Sequence, residues 1–161
     1  MDAVIPSTAQ RPIQSNGDRR MDPRPILLVE DNEDDALLTQ RAFLKAGVRN
    51  EVVVTRDGVE ALEALKDGRF RNSLPSLVLL DLKLPQVDGT EVLRRLRLDP
   101  RTRTLRVVVL SSSREERDIQ RCAELGANSF IRKPVDFDDF LHSVQILSSY
   151  WLQLDEAGLE S

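Results

Sequence analysis

Short apolar runs recur along the chain at a steady interval. They lie at residues 26–29, 52–54, 77–80, 107–110 and 130–131. Their starts are about 22 to 30 residues apart, the length of a strand plus a returning helix. Runs such as Ile26-Leu27-Leu28-Val29 and Leu77-Val78-Leu79-Leu80 do not alternate with polar residues. They therefore suit strands covered on both faces. Between the runs the spacing turns helical. Residues 34–46 have a broad apolar face and stop at Gly47. Asp57-Gly58 opens 59–65, where Val59, Leu62 and Leu65 share a face. Residues 89–98 turn Val92, Leu93 and Leu96 inward and Arg94, Arg95 and Arg97 outward, and stop at Asp99-Pro100. Residues 114–125 end at Gly126, and 136–154 place Phe137, Phe140, Leu141, Val144, Leu147, Trp151 and Leu154 on one face.

Five strand–helix pairs predict an α/β fold, a doubly wound five-stranded parallel sheet with five helices and right-handed crossovers. Five strands fit the flavodoxin-like order 2-1-3-4-5, with its switch point between strands 1 and 3. The carboxyl edge of such a sheet is where ligands and chemistry sit. Glu30 and Asp31 end strand 1, Asp81 ends strand 3, Ser111 ends strand 4, and strand 5 leads through Arg132 to Lys133. Three clustered carboxylates repel one another unless a cation joins them. Magnesium needs only one or two carboxylates plus phosphate oxygens and waters. A carboxylate can also attack phosphorus to form an aspartyl phosphate. Asp81 is thus a candidate phosphate acceptor beside a metal, with Lys133 and Ser111 placed to hold other phosphoryl oxygens. Only four of the 23 basic residues are lysines, yet one stands at 133, where a compact ammonium suits the task better than a planar fork.

Composition narrows the class. The 161 residues suit one domain with a substantial core. A net charge of −4 argues against nucleic acid as the main partner, and no apolar run approaches the ~18 residues of a membrane span. The single cysteine, Cys122, cannot form an internal disulfide, which fits a reducing cytoplasm. Residues 1–24, with Pro6, Pro12 and Pro23 among small polar residues, read as a disordered tail rather than a signal peptide. Met21, directly before the first apolar run, is a second candidate start of translation. The domain is expected over 25–154, with a short tail at 155–161 and no room for a second domain.

The motifs ILLVEDNEDD, LLDLKLPQVDG, VVVLSSS and FIRKPVD, in that order and spacing, resemble the receiver domain of two-component response regulators over residues 26–154. The resemblance implies that Asp81 accepts phosphate from a histidine kinase. It implies that Asp31, Asp81 and the backbone carbonyl of Lys83 ligate Mg2+, with Glu30 acting through a metal-bound water. Lys133 and Ser111 would contact the phosphoryl group. Ser111 and the aromatic at 130 would form the switch, and the Lys133–Pro134 peptide would be cis. Phe130 departs from the common tyrosine and lacks its hydroxyl. The stretches VVVLSSSREERDIQ, GANSFIRKPVDFDDF and YWLQL look most like the stand-alone receivers that partner phytochromes. In that subgroup dimers form through helix 4, strand 5 and helix 5, and Ile146 and Tyr150 widen the apolar stripe of helix 5 beyond what one core needs.

Plainer roles compete at several positions. Acids at strand ends are often helix caps, and Asp34 and Asp35 read as charge complementing a helix N-terminus. Ser113 is the better cap for helix 4, which leaves Ser111 for phosphate. Cys122 reads as core filling, His142 as remote from the edge, Trp151 and Tyr150 as packing or dimer anchors, and the Arg94-Arg95-Arg97 run as a solvated face. Among rival functions, an aspartyl-phosphate hydrolase would want a second acid two residues after the nucleophile, where Lys83 stands. A flavin module would want a glycine- and hydroxyl-rich loop after strand 1, which is strongly anionic here. An unphosphorylated scaffold would not need the acid, hydroxyl and lysine positions filled. A signalling protein rather than an enzyme is the expectation.

Overall fold

The computed structural model describes residues 22–112, 115–133 and 136–151. Its elements are β1 (Ile26–Val29), α1 (Glu33–Lys45), β2 (Val52–Thr55), α2 (Gly58–Lys66), β3 (Leu77–Asp81), α3 (Gly89–Leu98), β4 (Val107–Ser111), α4 (Glu116–Glu124), β5 (Ser129–Arg132) and α5 (Phe137–Trp151). All strand pairs are parallel, in the order β2-β1-β3-β4-β5. The expected flavodoxin-like topology is therefore present, with five helices among the described residues. Every residue of β1, β3 and β4 is buried, because helices cover both faces of the central strands. β2 and β5 are sheet edges and are only partly covered.

Strand alternation divides the core in two. Leu27, Val29, Val78, Leu80, Val107 and Val109 pack with Ala61 and Leu65 of α2, Val92, Leu93 and Leu96 of α3, and Cys122 of α4. Ile26, Leu28, Leu77, Leu79, Val108 and Leu110 pack with Ala36, Ala42 and Phe43 of α1 and Phe140, Val144 and Leu147 of α5. Cys122 fills core space as expected, and His142 is exposed.

Local chemistry sets most helix ends. Asn32, Asp57 and Asp88 are N-caps whose side chains accept from the backbone N–H of Asp35, Glu60 and Glu91. Gly47 and Gly126 follow α1 and α4 with φ of 86° and 97°, left-handed conformations that glycine adopts without a Cβ clash. α4 begins at Glu116, and Glu115 at its N-cap makes no side-chain cap bond; the expected start at Arg114 lies outside the described residues. The expectations for Met21, Ser113, the Lys133–Pro134 peptide, the Trp151 side chain, Leu154 and both outer tails lie outside the described residues.

Two expectations change at the amino edge of the sheet. Asp22 to Arg24, assigned to the tail, are tied to the domain. Asp22 is 3% exposed, and Asn50 Nδ2 donates to the carbonyls of Asp22 at 2.6 Å and Arg24 at 2.8 Å. Ser76 Oγ donates to Arg24 O at 3.0 Å. Arg97 is not part of a solvated face. Its guanidinium donates to Gly126 O at 2.8 and 3.0 Å, Arg103 O at 3.1 Å and Asn128 Oδ1 at 3.1 Å. Burial pulls its pKa down, because these acceptors are neutral and offer no full countercharge.

Candidate functional site at the carboxyl edge

The pleat delivers the acidic residues to one side. Leu77 and Leu79 face α1 and α5, so the next residue in that series, Asp81, turns the same way. Glu30 continues the Ile26–Leu28 series of β1, and Val29 is level with Leu80. The two carboxylates thus emerge side by side on adjacent strands. Asp81 is 6% exposed and Glu30 1%. Asp31, one residue further, is exposed. One oxygen from each of Glu30, Asp31 and Asp81 lies within 4.8 Å of the others.

Lys133 enters this group from the end of β5. Its backbone N–H donates to Ser111 O at 2.7 Å, which fixes where the side chain begins. Its Nζ lies 3.2 Å from Asp81 Oδ2, 2.9 Å from Glu30 Oε1 and 3.1 Å from Asp35 Oδ2. Burial alone would lower the Lys133 ammonium, but the surrounding carboxylates outweigh it and hold it above its usual range. Burial, reinforced by the Asp81 charge, pushes the Glu30 carboxyl up to about 7, against the pull of Lys133.

Other oxygens are held by backbone. The Lys83 N–H donates to Asp81 Oδ1 at 3.2 Å, and the Asn32 N–H to Glu30 Oε2 at 3.2 Å. The Lys83 side chain is exposed, in keeping with a backbone role. The bend after β3 is held against the strand by the Gly89 N–H, which donates to Leu82 O at 2.9 Å. A Cβ at Gly89 would stand 2.3 Å from Asp81 O and 2.6 Å from Leu82 Cα, so only glycine permits this approach. Gln86 in the same bend has φ of 67°, a left-handed residue that the sequence reading did not anticipate.

The donor set fits a hard divalent cation. It is all oxygen, contains carboxylates and lacks nitrogen or sulfur ligands. Glu30 Oε1 is buried without a hydrogen bond. Lys133 approaches it as an ion pair but outside hydrogen-bond alignment, so this oxygen retains acceptor capacity.

The expected site residues divide into two groups. Glu30, Asp31, Asp81, Lys83 and Lys133 come together. Ser111 is fully buried at the end of β4, where its neighbour Leu110 is paired with Asp81. Phe130 pairs with Val109 and packs half-buried on the α2–α4 side of the sheet. It therefore lies away from the carboxylates, at a position from which a switch would have to act through β4. Asp35 is the member that sequence reasoning missed, having been read only as helix-end charge. Its place in the first turn of the helix that directly follows Glu30 and Asp31 was the available signal.

The chain has relatives of known type. The family described as response regulator receiver domain matches residues 26–145. The probable methanogenesis regulatory protein FilR2 of Methanothrix harundinacea is 44% identical over 133 residues, covering 81% of this chain and 85% of that protein. The crystal structure of the Mn(2+)-bound form of response regulator Rcp1 superposes with a TM-score of 0.73 at 38% identity, covering 81% of this chain and 95% of that one. Rcp1 is a protein of Synechocystis sp.. The phosphorylated cyanobacterial phytochrome response regulator RcpA matches with a TM-score of 0.73 at 41% identity, over 80% and 93% of the two chains.

Proposed function

We infer that this chain, which belongs to the response regulator receiver domain family, is a stand-alone response regulator that accepts a phosphoryl group on Asp81. The observation that carries this reading is the convergence on Asp81 of two further carboxylates within 4.8 Å and the Lys133 ammonium at 3.2 Å. The donor is the phosphohistidine of a sensor histidine kinase. An Asp81 oxygen forms a bond to phosphorus as the P–N bond breaks, and the histidine nitrogen leaves with the electron pair. Glu30, Asp31, Asp81 and the Lys83 carbonyl would hold Mg2+. When bound, the ion supplies positive charge against the phosphoryl oxygens. Lys133 neutralises a second oxygen and Ser111 donates to a third.

The outcome of this transfer is a conformational bias rather than a released product. Phosphorylation shifts Ser111 and Phe130 between two arrangements and so alters the α4–β5–α5 face. Without a tyrosine hydroxyl, Phe130 contributes only packing to that shift. The face carries a cavity of about 400 Å³ between β5 and α5, lined in part by Ile131, Ile146 and Tyr150. Ile146 and Tyr150 are 56% and 55% exposed, a surplus of apolar surface that supports homodimerisation through α4, β5 and α5. A phytochrome is the proposed kinase, supported by the likeness to RcpA. No described helix is long and apolar enough to cross a membrane; a cytoplasmic location is proposed from the single cysteine.

Incubation with acetyl phosphate and Mg2+, followed by intact-mass measurement, tests the site. The expected result is a single phosphate adduct that needs Mg2+ and is lost in Asp81→Asn. Equal labelling of Asp81→Asn would overturn the assignment. Sedimentation showing only monomer at micromolar concentration would overturn the dimer.

A further inference from the structure

Lys133 has more partners than the proposed transfer needs. An ammonium has three donors, and three carboxylates surround this one, from Glu30, Asp81 and Asp35. Only Asp35 and Asp81 accept hydrogen bonds from it, while Glu30 shares its charge as an ion pair, so a phosphoryl oxygen drawn to Lys133 competes with these carboxylates for it. Glu30 is almost fully buried and Asp81 carries the phosphoryl group, so neither can withdraw into water. The Asp35 side chain is 42% exposed and can be rehydrated.

The position of Asp35 is nonetheless well defined. Its N–H is bonded to the Asn32 side chain at 2.9 Å, and its carbonyl accepts from Thr39 Oγ1 at 2.9 Å. Both contacts fix the first turn of α1, so its carboxylate is aimed at the end of β5 by the helix rather than by a flexible loop. No other described acid outside the Glu30–Asp31–Asp81 cluster reaches Lys133.

We propose that Asp35 is a positioning residue for Lys133: a releasable anchor that holds the ammonium on the α1 side and must surrender it when Asp81 is phosphorylated. This rests on the reading of Asp81 as the acceptor. With acetyl phosphate as donor, an Asp81 oxygen bonds to phosphorus, the acetyl–O–P bond breaks at phosphorus, and acetate leaves with the electron pair. Asp35 takes no part in these bonds. It competes with the phosphoryl group for Lys133, and so slows formation of the acyl phosphate and shortens its life.

The test compares wild type with Asp35→Asn, Asp35→Glu and, as a control of equal charge change on the same turn, Glu33→Gln. The initial rate of acetyl-phosphate labelling and the lifetime of the adduct should both rise about three- to tenfold in Asp35→Asn, the scale of one half-exposed ion pair. Asp35→Glu should return toward wild type, and Glu33→Gln should change neither. A second readout needs no phosphate. The side-chain ammonium NMR signal of Lys133 should exchange faster with water in Asp35→Asn and not in Glu33→Gln. Unchanged rates in Asp35→Asn, or equal changes in Glu33→Gln, would overturn the proposal in favour of a general charge effect. If wild type takes no phosphate, the acceptor reading fails by itself, and an ammonium signal unaffected by Asp35→Asn would then overturn the anchor separately.

Discussion

The two edges of the sheet use polar groups in opposite ways. At the amino edge, Asn50, Ser76, Arg97 and Asn128 each meet neutral backbone or amide partners. Asn128 Oδ1 accepts from both Arg97 and the Val107 N–H, at 3.1 and 2.8 Å. At the carboxyl edge, three carboxylates crowd one ammonium, with Asp31 beside two of them, and a buried Glu30 oxygen is left without a hydrogen bond. The first arrangement fastens loops to strands. The second leaves acceptor capacity unspent for a cation and a phosphoryl group, a cost in stability that functional sites commonly carry. The same strands hold both, so the domain can be tight at one end and electrostatically unfinished at the other.

Substitutions can break this contrast from either end. The largest effect is expected for Gly89→Ala. Its Cβ would collide with Asp81 O and Leu82 Cα, both backbone atoms, and the bend must move. A loss of about 3 kcal/mol or more is expected in urea unfolding, with loss of acetyl-phosphate labelling. Arg97→Met comes next. It removes the donors to Gly126 O, Arg103 O and Asn128 Oδ1 and should cost about 2 kcal/mol. Labelling of Asp81 should persist at the wild-type rate. A stable Arg97→Met that labels poorly would show the two edges to be coupled.

The smallest effect is expected for Glu91→Gln, on the first turn of α3 and outside the carboxylate cluster. Hydrogen bonds from Arg94 and Arg95 hold the Glu91 carboxyl down at about 2, below its ordinary 4.5. A depressed carboxylate stabilises the fold above its unfolded value and loses that contribution as pH falls through the folded one. Wild type should therefore exceed Glu91→Gln slightly in urea midpoint at pH 5, with the gap closing as pH falls from about 4.5 to about 2. A gap that persists unchanged at the lowest pH would assign the difference to packing.

Much of this protein was legible in the residues alone. Unbroken apolar runs meant strands covered on both faces, and their spacing left room for one helix each, so the sheet and its order followed. Asp81, Glu30 and Asp31 were visible because an acid that ends a strand must lie at the strand's carboxyl end. Gly47 and Gly126 marked helix stops because few other residues take a positive φ cheaply. These features depend on neighbours in the chain. What the tertiary structure alone decided depends on neighbours in space. Arg97 looked like one more solvated arginine until the turns at Arg103 and Gly126 brought their carbonyls to it. Asp35 looked like helix-end charge until β5 delivered Lys133 from 98 residues away. In each case the partner is remote in sequence, and a local pattern carries no record of it.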